Sequence, residues 1–336
     1  MPNEILDICK CLLNAGKCVS SRRIYNITGE MTEREISIFK RPLWVMLFAL
    51  TAAVAWGWAY PLIKLGFDEF GITSSMTAAK MLFAGVRFSL AGLALLLIAR
   101  PTRRSFKVEG KGGWLYILLF SLLNTALHYL FFYIGLSNSA GARAAILNSL
   151  GTFMLVLLAC IFFKSDRLTV RKIVGCAVGF IGIMALNIGG AESGGLTFMG
   201  DGMIVLNALC SAFAGLMTRG LGRRVDVFVG TGYSLAIGGV LLIVPSLFMG
   251  GALPAVTAWG VAILCMLITI SAMCFALYNK LLTCNPVGKV AIYNSLIPVV
   301  GAVTSSLCLS EPFYWKYAVA ALLAMLGIYV INSEKK

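Results

Sequence analysis

Apolar residues fill this chain in long blocks. No Asp, Glu, Lys or Arg occurs from Pro42 to Ile63, Gly112 to Ala142, Ala144 to Phe163 or Val290 to Ser310. Each block is long enough to cross ~30 Å of hydrocarbon, which takes about 20 helical residues. The uncharged stretch from Val227 to Asn279 is too long for one crossing, and Gly250-Gly251-Ala252-Leu253-Pro254 supplies a turn within it. The pattern predicts helices over 43–66, 74–99, 114–137, 141–163, 172–190, 200–219, 227–249, 257–282, 287–309 and 315–332. That is an all-α integral membrane protein of ten transmembrane helices. Residues 1–42 are mixed in character and read as a cytoplasmic tail. They carry Glu4 and Asp7 where a signal peptide would be basic, and Met31-Thr32-Glu33-Arg34-Glu35 offers a second candidate start.

The charged residues orient the bundle. With the N-terminus in the cytoplasm, the opposite side keeps only Lys64, Lys80, Arg143 and Lys316. Arg87 lies within a span, and every other Lys and Arg falls in the tail, in cytoplasmic loops or after the last helix. Basic loops resist translocation, so both termini are expected in the cytoplasm of a multi-pass inner-membrane (cell-membrane) protein.

The same loops suggest a duplication. In helices 1–5 the basic loops follow the second and fourth helices, and in helices 6–10 they follow the first and third. A five-helix unit repeated in opposite orientation requires that change of phase, since five is odd. Ala145-Ile146-Leu147-Asn148-Ser149-Leu150 is echoed by Ala291-Ile292-Tyr293-Asn294-Ser295-Leu296, and Asp166 with Gly182 by Glu311 with Gly327. Two inverted five-helix repeats, 43–190 and 200–332, are therefore expected.

Composition supports the class. Residues AVILMFWYC make up 59% of the 336 and DEKR only 12%, against about 25% charged in a soluble domain. The formal charge of +14 would suggest nucleic acid in a soluble protein. Here the basic residues are those of cytoplasmic loops, and no basic stretch is interleaved with aromatics as a single-strand binder requires, so nucleic acid is not an expected partner. Six of the ten cysteines lie in apolar helices, where cysteine acts as a small hydrophobe. Cys9, Cys11 and Cys18 lack a fourth ligand and a nearby histidine, so neither a zinc site nor any cofactor is expected.

In a membrane the informative residues are polar ones at mid-depth, because an unpartnered buried polar group is costly. Asn124 and His128 stand one turn apart on helix 3, flanked by Tyr129 and Tyr133. His128 is the one histidine and has an imidazole suited to titrate near neutrality. It reads either as a proton or substrate contact or as a packing residue. Asn148 and Asn294 hold equivalent places on helices 4 and 9, as substrate contacts or, the favoured reading, as interhelical amide bonds. Trp56 and Tyr60 on helix 1 are candidate cavity walls. Tyr278 and Asn279 on helix 8, and Asn207 with Ser211 on helix 6, extend the polar lining. Arg87 reads as an anion contact or as a side chain that snorkels to the interface. Asp166, Arg167 and Glu311 read as helix-end caps and ion pairs. Gly175 and Gly179, with Ala320 and Ala324, suit close helix packing within the chain or across a homodimer of helices 5 and 10.

These residues also carry a resemblance. Trp56-Gly57-Trp58-Ala59-Tyr60-Pro61-Leu62-Ile63-Lys64-Leu65-Gly66 resembles the first helix of the EamA family of the drug/metabolite transporter superfamily, and Arg87-Phe88 resembles an element of its second helix. Asp166-Arg167-Leu168-Thr169 and Ser310-Glu311-Pro312 resemble the turns joining the last two helices of each half, with Asp166 in place of the usual Glu and Lys164-Ser165 and Ser310 in place of Gly. Gly175, Gly179, Gly182 and Gly327 fall where that family's helices are glycine-rich. The likeness spans residues 43–332. It implies a ten-helix carrier whose cavity is lined mainly by helices 1, 3, 4, 6, 8 and 9, with helix 2 peripheral, which favours a structural role for Arg87.

The function expected is secondary transport of a small metabolite, such as an amino acid or its derivative, by alternating access, with export the expected direction. No Gly-x4-Gly-Lys-Ser/Thr loop is present, which speaks against ATP drive. No acid lies in mid-helix, which weakens a proton-coupled exporter and leaves exchange, facilitated flux or a His128-linked mechanism open. An intramembrane lipid-modifying enzyme would call for paired acids or a Ser–His arrangement, and a non-transporting scaffold would need no polar midplane.

Overall fold

Long uncharged blocks become helices because hydrocarbon offers the backbone no hydrogen-bond partner outside the segment itself. The computed structural model describes residues 38–162, 168–185, 197–285, 290, 292–310 and 314–332. In chain order its helices are α1 (Pro42–Glu69), α2 (Thr77–Ala99), α3 (Gly113–Ser137), α4 (Gly141–Phe162), α5 (Val170–Ala185), α6 (Met203–Leu221), α7 (Val227–Phe248), α8 (Ala258–Cys284), α9 (Leu296–Leu309) and α10 (Trp315–Asn332). Seven segments among the described residues are long and apolar enough to cross a membrane, and Leu296–Leu309 and Trp315–Gly327 are shorter apolar helices. Asp166, Arg167, Glu311, the N-terminal cysteines and Met31 lie outside the described residues.

Local chemistry sets the ends. Pro42 opens α1, where its missing N–H costs nothing. Asp226 caps α7 by accepting from the Phe228 and Val229 amides, and Thr257 caps α8 by accepting from Gly260. The turn between α7 and α8 is the one anticipated, and Gly250 there adopts φ 72°, a conformation that favours glycine.

The packing repeats. α1 packs on α8 and α9, as α6 packs on α3 and α4. The α2–α8 contact has its counterpart in α7–α3, while α2–α7, α4–α9 and α5–α10 pair across the halves. Exchanging the two halves leaves this contact pattern unchanged, as a duplicated unit requires. Glycines let the paired helices touch: a Cβ on Gly92 would run into the Gly232 carbonyl and the Ala236 backbone, and one on Gly327 would meet Gly175 and Gly179. The glycines of α5 are thus engaged within the chain.

The outer surface is apolar, with Leu97, Ile161, Phe248 and Leu307 exposed. Trp44, Trp114, Trp259 and Trp315 are exposed near the starts of α1, α3, α8 and α10, the depth at which indole rings settle at a membrane boundary. Arg143, expected among the few charges of the far side, is not a solvated loop charge. It is buried within the first turn of α4, because Asp201, just before α6, takes it in a two-pronged ion pair with both N–O distances 2.8 Å.

Candidate functional site

Three helices break their regular winding near the centre of the bundle. α3 widens into a π-helical turn at Leu122–Leu127, which carries Asn124 and leads into His128. α4 is interrupted at Ser149, directly after Asn148. α9 is preceded by a tight 3-10 turn, Ile292–Ser295, which carries Asn294. Irregular backbone at such depth persists where it is buried in protein or lines a wet space.

These breaks surround a cavity of about 180 Å³. Its walls come from α1 (Trp56, Tyr60), α3 (Asn124, His128, Tyr129), α4 (Asn148, Thr152), α6 (Ser211, Thr218), α8 (Phe275, Tyr278, Asn279), Asn294 and the start of α9, and from Arg87 on α2. It reaches toward the C-terminal ends of α4, α6 and α8 at Leu155, Thr218 and Leu282. The Arg143–Asp201 pair ties the other ends of α4 and α6 together.

Nine of the ten residues singled out from the sequence line this space: Trp56, Tyr60, Asn124, His128, Tyr129, Asn148, Tyr278, Asn279 and Asn294. The tenth, Asn207, is fully buried behind the wall. It donates to Asn148 Oδ1 at 2.6 Å, and Asn148 donates to the Tyr60 hydroxyl at 2.8 Å. Asn294 donates in turn to the Tyr278 hydroxyl. Asn124 donates to Ser234 and Asn279 to Thr231, both on α7. Each amide is therefore oriented by a neighbouring helix, which fixes what it presents to the cavity. Among the described residues His128 Nδ1 and Asn294 Oδ1 have no hydrogen-bond partner. The apolar part is aromatic: Trp56 meets Phe275 and Tyr278 edge-on at 5.5 and 5.1 Å, and Tyr60 meets Phe132 at 5.4 Å.

Arg87 corrects an expectation. It neither snorkels nor lies at the periphery, being 2% exposed and part of the cavity wall. Its Nε donates to the Leu267 carbonyl and the Ser271 hydroxyl of α8, and Nη1 donates to the Tyr133 hydroxyl of α3. A charge inside an apolar helix was visible in the sequence, but the direction in which it pointed was not. Phe132, Phe275 and Pro298 also line the cavity, and apolar residues within apolar helices gave no signal that singled them out.

The polar, aromatic-walled space suits a small solute that is part apolar and part hydrogen-bonding. Comparison with known proteins places that geometry in context. The uncharacterized transporter YvbV of Bacillus subtilis (strain 168) is 28% identical over 289 residues, covering 84% of this chain and 90% of its own. A protein of Salmonella typhimurium named "Probable amino-acid metabolite efflux pump" is 25% identical over 296 residues, covering 84% of this chain and 92% of its own. A protein known from a crystal structure shares the fold with a TM-score of 0.65 at 17% sequence identity, covering 85% of this chain and 95% of that one. The model of the EamA-like transporter family matches twice, over residues 43–188 and 198–333. Two matched halves spanning most of the sequence, in an all-helical bundle with an apolar exterior, make this chain a multi-pass membrane protein that belongs to the EamA-like transporter family.

Proposed function

We propose that this protein is a secondary carrier that exports a small polar or amphipathic metabolite, such as an amino acid or derivative, across the cell membrane by alternating access. In this reading the chain crosses ten times as two inverted five-helix units, with both termini in the cytoplasm. The observation that carries it is the cavity itself: both halves contribute to one amide- and aromatic-lined space where three helices lose regular winding. Carriers built from inverted repeats hold substrate at such an interface. The printed name of the Salmonella relative supports the amino-acid class. The basic loops support the orientation. The Arg143–Asp201 pair supports a state closed at the ends of α4 and α6 opposite Leu155 and Thr218. Access on that side requires the pair to part.

The test is counterflow of a labelled amino-acid mixture in proteoliposomes containing the purified protein. Saturable uptake, absent from empty vesicles and lost when Tyr60 and Asn148 are both replaced by Ala, is the expected result. No uptake above empty vesicles from a well-folded preparation would sink the carrier reading.

A further inference from the structure

Arg87 sits midway along α2, where a charged side chain is costly unless something answers it. Its three bonds go to a carbonyl and two hydroxyls, all neutral, and the Phe88 ring lies 4.9 Å from the guanidinium carbon. Neutral partners satisfy donors without cancelling charge. The described acids are Asp68, Glu69, Glu109, Asp201 and Asp226, all at helix ends or in loops. None lies within ion-pair distance of Arg87. Among the described residues, Arg87 is the one formal charge in the cavity wall. Among the described residues the Nη2 group and one Nη1 hydrogen have no partner.

We infer that Arg87 is the substrate anchor and that the substrate carries a single carboxylate, which the free edge of the guanidinium receives. This rests on the carrier reading above and narrows its substrate class. A guanidinium edge matches a carboxylate with two parallel hydrogen bonds. One cation balances one carboxylate, whereas a phosphate dianion would be left under-compensated. An α-ammonium group, where the substrate has one, falls to the hydroxyls, amides and rings of the wall. The Trp56, Tyr129 and Phe275 rings then face the apolar body of the same molecule. Two stabilising roles converge on one residue: Ser271 and Tyr133 hold the guanidinium in place, and the substrate neutralises it.

The experiment compares 4-methylpentanoate, 3-phenylpropanoate, L-leucine and L-phenylalanine with the corresponding carboxamides in proteoliposomes, so that the carboxylate is varied both with and without an ammonium group. Wild type, Arg87→Lys and Arg87→Gln are assayed for counterflow, and the wild type for ligand-induced thermal stabilisation, with inorganic phosphate as competitor. The wild type is expected to favour the carboxylates roughly tenfold to hundredfold, the range of a charge-assisted bond. Phosphate should not compete. Arg87→Gln should abolish the preference chiefly through KM, and Arg87→Lys should restore part of it. Equal transport of acids and amides by the wild type, a preference kept in Arg87→Gln, or strong competition by phosphate would each overturn the inference and leave the carrier reading standing. Should Arg87→Gln fail to fold, equal wild-type stabilisation by acids and amides still overturns it. If neither series moves or stabilises the protein, the amino-acid carrier reading falls and takes this inference with it.

Discussion

Asn207 on α6 donates its amide to Asn148 on α4 at 2.6 Å, and so joins the second half of the chain to the first behind the cavity wall. Asn148 passes the bond on to Tyr60 of α1. Its repeat partner Asn294 makes only the bond to Tyr278, and its carbonyl stays without a partner among the described residues. Equivalent asparagines thus do different work: one fastens the halves, and the other bonds only the Tyr278 hydroxyl among the described residues and leaves a buried acceptor unpaired.

The coupling between Asn148 and Asn207 is measurable. Asn148→Ala and Asn207→Ala should each lower thermal stability in detergent. The double variant should lose less than the sum by about 0.6–2 kcal/mol, the range of interhelical amide bonds in membranes. Strict additivity would show that the bond contributes nothing.

Arg143 and Asp201 are both buried, so removing one leaves an unpaired charge. Arg143→Ala should cost about 3–5 kcal/mol in unfolding experiments, whereas combining Arg143→Met with Asp201→Leu should recover most of that loss. If the single substitution proves as mild as the pair, the ion pair is not holding these helix ends.

Gly92 and Gly250 separate two reasons for glycine. At Gly92 an added Cβ meets backbone of α7 that cannot move aside, while Gly250 has open space and only its positive φ to satisfy. Gly92→Ala should destabilise by about 1–3 kcal/mol through overpacking, and Gly250→Ala by about 1 kcal/mol through conformation. Thermal scans that reverse this order would argue against the close α2–α7 crossing.

His128 rests edge-on against Tyr129 at 4.4 Å, with Nδ1 free of partners among the described residues. The imidazole is also bonded to the Asn207 backbone, a bond that a Gln amide can keep, so His128→Gln should leave the fold intact and lower the initial transport rate. Unaltered rates in both His128→Gln and His128→Ala would remove this residue from the transport cycle.

Much of the site was legible because polar residues are rare in such helices. Asn148 and Asn294 stood out through their matching hexapeptides, and Asn124 and His128 through their spacing. All four line the cavity. Asn207 was legible by type but not by depth: it backs the wall through Asn148. The winding defects at Leu122–Leu127 and Ser149 had no marker such as an internal proline. The pairing of Arg143 was not legible, because its partner Asp201 is remote in sequence and an ion pair across that distance leaves no local trace.

The order of residues alone determined that the chain must lie in a membrane, because uncharged blocks of that length have no other solvent. It also determined most helix ends among the described residues to within a few residues, since turns, caps and charges are local. But α9 starts at Leu296 and not at 287, because the tight turn Ile292–Ser295 comes before it. Tertiary structure decided which way each helix faces. A helix that is apolar all round has no wet side to set its rotation, so only packing against neighbours, through glycine crossings and buried hydrogen bonds, could turn Arg87 inward to the cavity and Asn207 behind its wall.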